Sequence, residues 1–228
     1  MSDLFICRHG NTFDPGDVVT RVGGRTDLPL SSSGQVQAML LAEHFEKKGI
    51  RIHRAYCSPL RRTRATLDTI LSKQISPPEV QTLGFLTELD YGPDENRPEA
   101  EVAARIGPDA LNAWEERAHL PLGWKLDIRS LIASWRKFLM NQQRCDGVSM
   151  VMTSNGIARF VFPALGLDPA KQTADGQTIK LKTGAYGRLV SADSSVASPE
   201  PSVAGPWDIG SPSADLGYQI AEWNIRPV

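Results

Sequence analysis

Neither sign of charge is in excess in this chain. Lysine and arginine number 25 and aspartate and glutamate 26, for a net charge of −1. That leaves no basic footprint for a nucleic acid and no acidic tail. No apolar run is long enough to span a bilayer. The N-terminus lacks the basic segment, long apolar stretch and cleavage site of a secretory signal. Cysteine is sparse: Cys7, Cys57 and Cys145 make an odd number without C-x-x-C spacing. That pattern argues against a disulfide framework and against a structural zinc site, and a reducing cytoplasm is the expected compartment. No metal-ligand cluster stands out, no internal repeat is visible, and no G-x-x-x-x-G-K-[ST] loop is present to cradle a nucleotide. Histidine is also scarce: His9, His44, His53 and His119, with none beyond position 119.

What is there is enough apolar material for a core, 41% of 228 residues, which sets one large domain or two small ones. The run Leu4-Phe5-Ile6-Cys7 reads as a buried strand ending in a loop. Ser31-Ser32-Ser33 offers N-capping hydroxyls to a helix with Val36, Met39, Leu40 and Phe45 on one side, stopping at Gly49. Residues 52–57 read as a second strand. Ser58-Pro59 then opens another helix, serine at the cap and proline in the first turn. A weaker strand covers 80–84. Ile128, Leu131, Ile132, Trp135 and Leu139 have helical spacing, and 148–153 is a central-type strand. A helix from about Ile157 ends near Gly166. Segments 178–182 and 185–191, parted by Thr183-Gly184, look like a hairpin. A Ser-, Pro- and Gly-rich stretch over 193–216 reads as a flexible surface loop, and Tyr218 to Ile225 as an edge strand. Cys7 and Cys57 each end a strand, so both are expected to be buried structural thiols. The alternation gives an α/β fold, a three-layer sandwich with a mostly parallel central sheet, helices on both faces and an antiparallel edge strand, as one domain over 1–228.

Four polar clusters sit where strands hand over to helices: Arg8-His9-Gly10-Asn11-Thr12, the stretch from Arg21 to Leu30, Ser58-Pro59-Leu60-Arg61-Arg62-Thr63, and Thr87-Glu88-Leu89-Asp90-Tyr91-Gly92. The ends of parallel strands are where such a sheet presents its chemistry. Arg8, Arg21, Arg25, Arg61 and Arg62 gather in these loops and helix starts. A helix N-terminus favours anions, and arginine adds a bidentate fork for phosphate oxygens. A cysteine phosphatase would need C-x₅-R; Cys57 to Arg62 is one residue short, and Cys7 meets Phe13 at the required place.

The order of these clusters resembles the histidine phosphatase superfamily, also called the phosphoglycerate mutase-like family. Its R-H-G-[ENQ]-T motif is matched by residues 8–12. Its R-x-x-G-x-x-D-x-P-L is matched by Arg21, Gly24, Asp27, Pro29 and Leu30, its S-x-L-x-R-[AT] by Ser58, Leu60, Arg62 and Thr63, and its E-x-x-x-G by Glu88 and Gly92. The resemblance covers roughly the whole chain. It implies that His9 is the nucleophile that takes up the phosphoryl group. Arg8 and Arg62 would hold the phosphate oxygens, and Glu88 would protonate the leaving alkoxide and then activate water. Asn11 and Thr12 are further phosphate-shell candidates; Arg21, Gly24, Arg25 and Arg61 are candidates for the rest of the substrate. No metal and no cofactor are expected. The expected partner is a small phosphorylated metabolite or phosphate, with no nucleic acid and no membrane, and a homodimer left open.

The chain departs from the family pattern twice. The family's second histidine, in an S-H-G context, is matched here by Ser154-Asn155-Gly156, so Asn155 takes that place. Asparagine can donate a neutral hydrogen bond but carries no charge. Many members also place an asparagine six residues beyond the nucleophile, and here that position is Pro15. Three readings therefore stand: a phosphomonoester hydrolase working through phosphohistidine, a phosphoglycerate mutase, and a pseudoenzyme that binds a phosphorylated ligand with reduced turnover or none.

Overall fold

The structure is a computed structural model and describes residues 3–191 and 216–228. Among these residues six strands form one sheet: β1 (Asp3–Arg8), β2 (Ile52–Cys57), β3 (Val80–Thr82), β4 (Val148–Thr153), β5 (Tyr186–Ser191) and β6 (Tyr218–Ile225). Their order is β3-β2-β4-β1-β5-β6. The first four of that order run parallel; β5 pairs antiparallel with β1, and β6 antiparallel with β5. The α/β sandwich with a mostly parallel sheet is as the sequence led us to expect.

Strand β1 shows why. Lying between β4 and β5, it is apolar on both faces. Leu4 and Ile6 join one core cluster, with Val151 of β4, Trp135 and Phe160. Phe5 and Cys7 join the other, with Met150, Met152, Leu41 and Leu67. Helices α1 (Ser32–Lys47) and α2 (Arg61–Leu71) cover the second face. The first face is covered by α3 (Glu99–Ile106), α4 (Pro108–Arg117), α5 (Ile128–Gln143) and the two short helices that follow β4, α6 (Asn155–Ala158) and α7 (Val161–Ala164). A last short helix, α8 (Pro169–Ala174), starts on an Asp168 cap. Cys7 and Cys57 are buried and free, as expected, and Cys145 is half-buried.

Several local expectations are corrected. Helix α1 does begin at a Ser31 cap, whose Oγ accepts from the Gly34 N–H at 3.2 Å. Its buried face, however, is Gly34, Gln37, Ala38, Leu41, Ala42 and Phe45; Val36 and Met39 point outward, 59% and 41% exposed. Small residues carry that face because the helix meets backbone there: a Cβ on Gly34 would lie 2.0 Å from the Asn11 carbonyl oxygen, and one on Gly10 would lie 2.3 Å from that of Gly34. Helix α2 is capped by Leu60, not Ser58. The first helical carbonyl is that of Leu60, which accepts from Arg64 at 3.0 Å, while the Ser58 hydroxyl meets Thr63 Oγ1 at 2.7 Å and accepts from the Leu60 N–H at 3.4 Å, before the helix begins. The strand expected over 80–84 is the three-residue β3, and residues 84–86 turn into a 3₁₀ helix.

The single helix expected from 157 to 166 is two, α6 and α7. Pro163 has no N–H to give the Arg159 carbonyl, which accepts instead from Phe162 at 3.3 Å. The expected hairpin is absent: 178–182 is not a strand. Leu181 N–H goes to Asn155 Oδ1 at 2.8 Å and Lys182 N–H to Asn224 Oδ1 at 2.8 Å, and the Leu181 carbonyl accepts from Arg8. Its alternating pattern comes from Ile179 and Leu181 entering the core without a ladder. Residues 193–215 of the expected loop lie outside the described residues; Leu216 is buried. The edge strand over Tyr218–Ile225 is present as β6. No helix among the described residues is long and apolar enough to cross a membrane.

Candidate active site

The C-terminal ends of β1 and β4 lie side by side in parallel register, Arg8 opposite Thr153. The chain leaves both at the same edge, so the residues that follow, His9 and Asn155, open on one cleft. His9 is 6% exposed. Its Nδ1 lies 2.7 Å from the Gly10 carbonyl oxygen, and a carbonyl can only accept, so Nδ1 carries the proton. Nε2 is thus a lone pair, and it accepts from Arg62 Nε at 3.2 Å. Burial, then the charges of Arg62 and Arg8, hold this imidazole well below the ordinary histidine value; the bond to Gly10 opposes them more weakly. The ring is neutral at physiological pH.

Arg62 is fully buried in the first turn of α2. Nη1 donates to the Thr26 carbonyl at 2.9 Å and Nη2 to that of Gly23 at 3.1 Å. A guanidinium has five N–H groups; with these two and the bond to His9 made, one N–H on each Nη remains for an oxyanion. Arg8, at the end of β1, donates Nη1 to the Leu181 carbonyl at 2.9 Å, and its buried Nε has no hydrogen-bond partner among the described residues.

Glu88 faces these cations from the segment before the 3₁₀ turn at Gly92–Asp94. It is 7% exposed; Oε1 accepts from its neighbour Leu89 N–H at 3.1 Å and Oε2 from Gly156 N–H at 3.2 Å. Burial raises its carboxyl above the ordinary value, against the pull of the two amides and of Arg62 and Arg8. Gly156 is required for this approach, since a Cβ there would stand 2.2 Å from Glu88 Oε1. Asn155 is 8% exposed. Its side-chain orientation follows from Leu181 N–H, which must be met by Oδ1, so Nδ2 is the donor that remains.

The other sequence candidates are placed less centrally. Asn11 gives Nδ2 to Ser33 Oγ at 3.2 Å and its backbone N–H to Gln37 Oε1 at 2.8 Å, tying the loop to α1; Thr12 is half-buried beside it. Gly24 approaches the Glu88 carbonyl so closely that a Cβ would lie 2.4 Å away. Arg21 Nη2 pairs with Glu99 at 2.6 Å, and Arg25 Nε with Asp90 at 2.9 Å. Arg61 is exposed on a groove with Pro29, Leu30, Pro59 and Arg64, and its backbone N–H goes to Asp27. His119 is exposed beyond the end of α4.

Several supporting residues had no sequence signal. Thr66 Oγ1 accepts from Gly10 N–H at 3.2 Å. Asp14 accepts from the N–H groups of Ser32 and Ser33, a second cap on α1 that draws the loop after His9 over the helix. Glu95 accepts from the N–H groups of Gly23, Arg25 and Tyr91 and from the Thr26 hydroxyl, which fixes the loop whose carbonyls hold Arg62. For Arg159 a faint signal existed in its i+4 spacing from Asn155; its Nε donates to the Asn155 carbonyl at 3.3 Å.

A neutral histidine lone pair beside two arginines and a buried carboxyl with a raised pKa, at the end of a parallel sheet, is a layout that can take up a phosphoryl group. The chain belongs to the histidine phosphatase superfamily (branch 1), whose family model matches residues 4–174. It is similar to a 2,3-bisphosphoglycerate-dependent phosphoglycerate mutase of Hamiltonella defensa, 32% identical over 113 residues, covering 49% of this chain and 44% of that one. The match thus spans less than half the length of that relative. Among solved structures it is similar to a mycobacterial glucosyl-3-phosphoglycerate phosphatase, with TM-score 0.73 and 19% identity over 98% of this chain and 99% of that one. It is also similar to a phosphoserine phosphatase of Entamoeba histolytica, with TM-score 0.63 and 20% identity over 83% and 91% of the two chains. At those identities the likeness to the solved structures is one of fold.

Proposed function

We propose that the protein is a phosphomonoester hydrolase that works through a phosphohistidine. The observation that carries this reading is the pinning of the His9 Nδ1 proton to the Gly10 carbonyl, which leaves Nε2 unprotonated beside Arg62. In the first step Nε2 attacks phosphorus and the ester P–O bond breaks. Glu88, whose burial favours the protonated form, passes its proton to the leaving alkoxide. In the second step the Glu88 carboxylate takes a proton from water as that oxygen attacks phosphorus. The P–N bond breaks, phosphate leaves, and His9 and Glu88 return to their starting states. Arg62, Arg8 and the Nδ2 group of Asn155 serve the phosphoryl oxygens, where charge shifts in the transition state. No metal enters this route, and a small phosphorylated metabolite is the partner it needs.

Turnover of a generic aryl phosphate that vanishes in His9→Ala tests the reading; equal turnover in both proteins refutes it. Two other readings each have a supporting observation. The Hamiltonella relative favours a phosphoglycerate mutase, which exchange of phosphate between glycerate positions would reveal. The uncharged Asn155 favours a binding protein of low activity, which would hold phosphate or vanadate without turnover at any pH.

A further inference from the structure

The hydrogen bond that fixes the His9 proton ends on the Gly10 carbonyl, so it depends on which way one peptide unit is turned. That unit joins Gly10 to Asn11. Its C=O accepts from His9 Nδ1 at 2.7 Å, and its N–H donates to Gln37 Oε1 at 2.8 Å. The peptide is trans, so the two groups point in opposite directions. Holding the N–H on Gln37 therefore aims the carbonyl at the imidazole. Gln37 lies on α1, 6% exposed. Its stem packs against Gly184, where a Cβ would stand 2.8 Å from Gln37 Cβ, and Gly184 in turn donates its N–H to the His9 carbonyl at 3.1 Å.

The units on either side are gripped separately. Gly10 N–H goes to Thr66 Oγ1 at 3.2 Å, and the Asn11 carbonyl accepts from Ser31 N–H at 3.0 Å. Neither bond stops the unit between them from turning over. Such a turn changes ψ of Gly10 and φ of Asn11, two residue types that tolerate the left-handed region. Turned over, the unit would present Asn11 N–H to His9 Nδ1. A donor there demands the lone pair on Nδ1 and the proton on Nε2. That proton would face the Arg62 Nε–H, now 3.2 Å from Nε2, donor against donor. Nε2 would then have no lone pair for phosphorus. Resting on the phosphatase reading above, we propose that Gln37 is a positioning residue for His9: by accepting from Asn11 N–H it keeps the Gly10 carbonyl turned to Nδ1 and so keeps the nucleophilic nitrogen unprotonated.

The test reads the tautomer directly. In protein labelled with ¹⁵N in its histidine rings, the His9 resonances are those missing from His9→Gln. Wild type should show a protonated Nδ1 and a lone-pair Nε2. Gln37→Met keeps the length of the side chain and removes the acceptor, and the ring proton should move to Nε2. On an aryl phosphate, kcat should then fall at least about tenfold while KM stays within about threefold, because Arg8 and Arg62 are kept. Gln37→Glu keeps an acceptor oxygen at the same reach and should hold the wild-type tautomer and most of kcat. Should Gln37→Met fail to fold, Gln37→Glu and the wild-type Asn11 amide decide. That amide should exchange with solvent at least about a hundredfold more slowly than an open loop amide. A wild-type proton on Nε2, an unmoved tautomer in Gln37→Met, a moved proton without loss of kcat, the same losses in Gln37→Glu, or a fast-exchanging Asn11 amide would overturn the proposal. No turnover by wild type, with the tautomer still following Gln37, would instead sink the phosphatase reading alone.

Discussion

Arg62 Nε donates to His9 Nε2 at 3.2 Å, the lone pair that attacks phosphorus in the proposed reaction. In that reaction an incoming phosphoryl group would take over this N–H as it reaches the imidazole. The transfer exchanges a neutral acceptor for a charged oxygen, which strengthens the bond. The same guanidinium is anchored behind by the carbonyls of Thr26 and Gly23, so its plane is fixed before substrate arrives.

Arg62→Lys should therefore lose more than charge. Lysine keeps one positive group but cannot span two carbonyls, His9 and an oxyanion at once. We expect kcat/KM on an aryl phosphate to fall ~100- to 1,000-fold, the usual cost of one transition-state donor. A loss under about tenfold would mean that Arg62 supports the loop and not the phosphoryl group.

Glu88 makes a prediction that depends on the leaving group. Glu88→Gln cannot supply a proton, so turnover of an alkyl phosphate should fall ~100- to 10,000-fold. An activated aryl phosphate, whose phenolate departs unaided, should lose far less in its first step. The pH dependence has a definite sign. Because burial raises the Glu88 pKa, the proton-bearing form persists above the ordinary carboxylate range. Alkyl phosphate turnover should then fall as pH rises through that raised value, and parallel pH–rate profiles for the two esters would refute the assignment.

His9 also couples stability to pH. Its pKa is depressed in the folded state, so the folded protein binds no proton there when the unfolded chain, with an ordinary value near 6.5, does. Stability from this group is full above the unfolded value and is lost as pH falls below it, by about 1.4 kcal/mol per pH unit. Chemical denaturation at several pH values between about 6.5 and 5 should show a steeper loss for wild type than for His9→Gln. Equal slopes would mean that the imidazole is protonated in the folded state.

Central strands were readable from their short apolar runs: 52–57 and 148–153 match β2 and β4 residue for residue. The face of α1 was misread because Gly34 and Ala38 carry it and give no hydrophobic signal, while Val36 and Met39 do so from the solvent side. The motif order led to His9, Arg8, Arg62 and Glu88, and the fold brings these four to one cleft. Glu95 was not readable, and Arg159 only faintly. Their importance comes from partners 70 residues away for Glu95 and 45 for Arg159, and no local period marks such a pairing. The segment 178–182 misled for a related reason: its backbone serves Arg8 and Asn155, and side-chain alternation alone does not reveal where main-chain hydrogen bonds go.

Asn155→His gives the sharpest test of how complete the site is. The asparagine Oδ1 accepts from Leu181 N–H at 2.8 Å, and a histidine in the same place would meet that N–H with Nδ1 as a lone pair. The ring proton would then sit on Nε2, further from the backbone, and reach deeper toward a phosphoryl oxygen than the asparagine amide does. Protonation of both nitrogens would break the Leu181 bond, so the gain is a better-placed donor more than a charge. Since Asn155 already offers Nδ2, the improvement should be below the ~100- to 1,000-fold worth of a whole donor, on the order of tenfold in kcat. The comparison is made on an activated aryl phosphate, where proton delivery by Glu88 does not limit the rate. An unchanged or lower kcat with the protein folded would show that the pocket around residue 155 has been reshaped for the amide, and would move the balance toward a ligand-binding role.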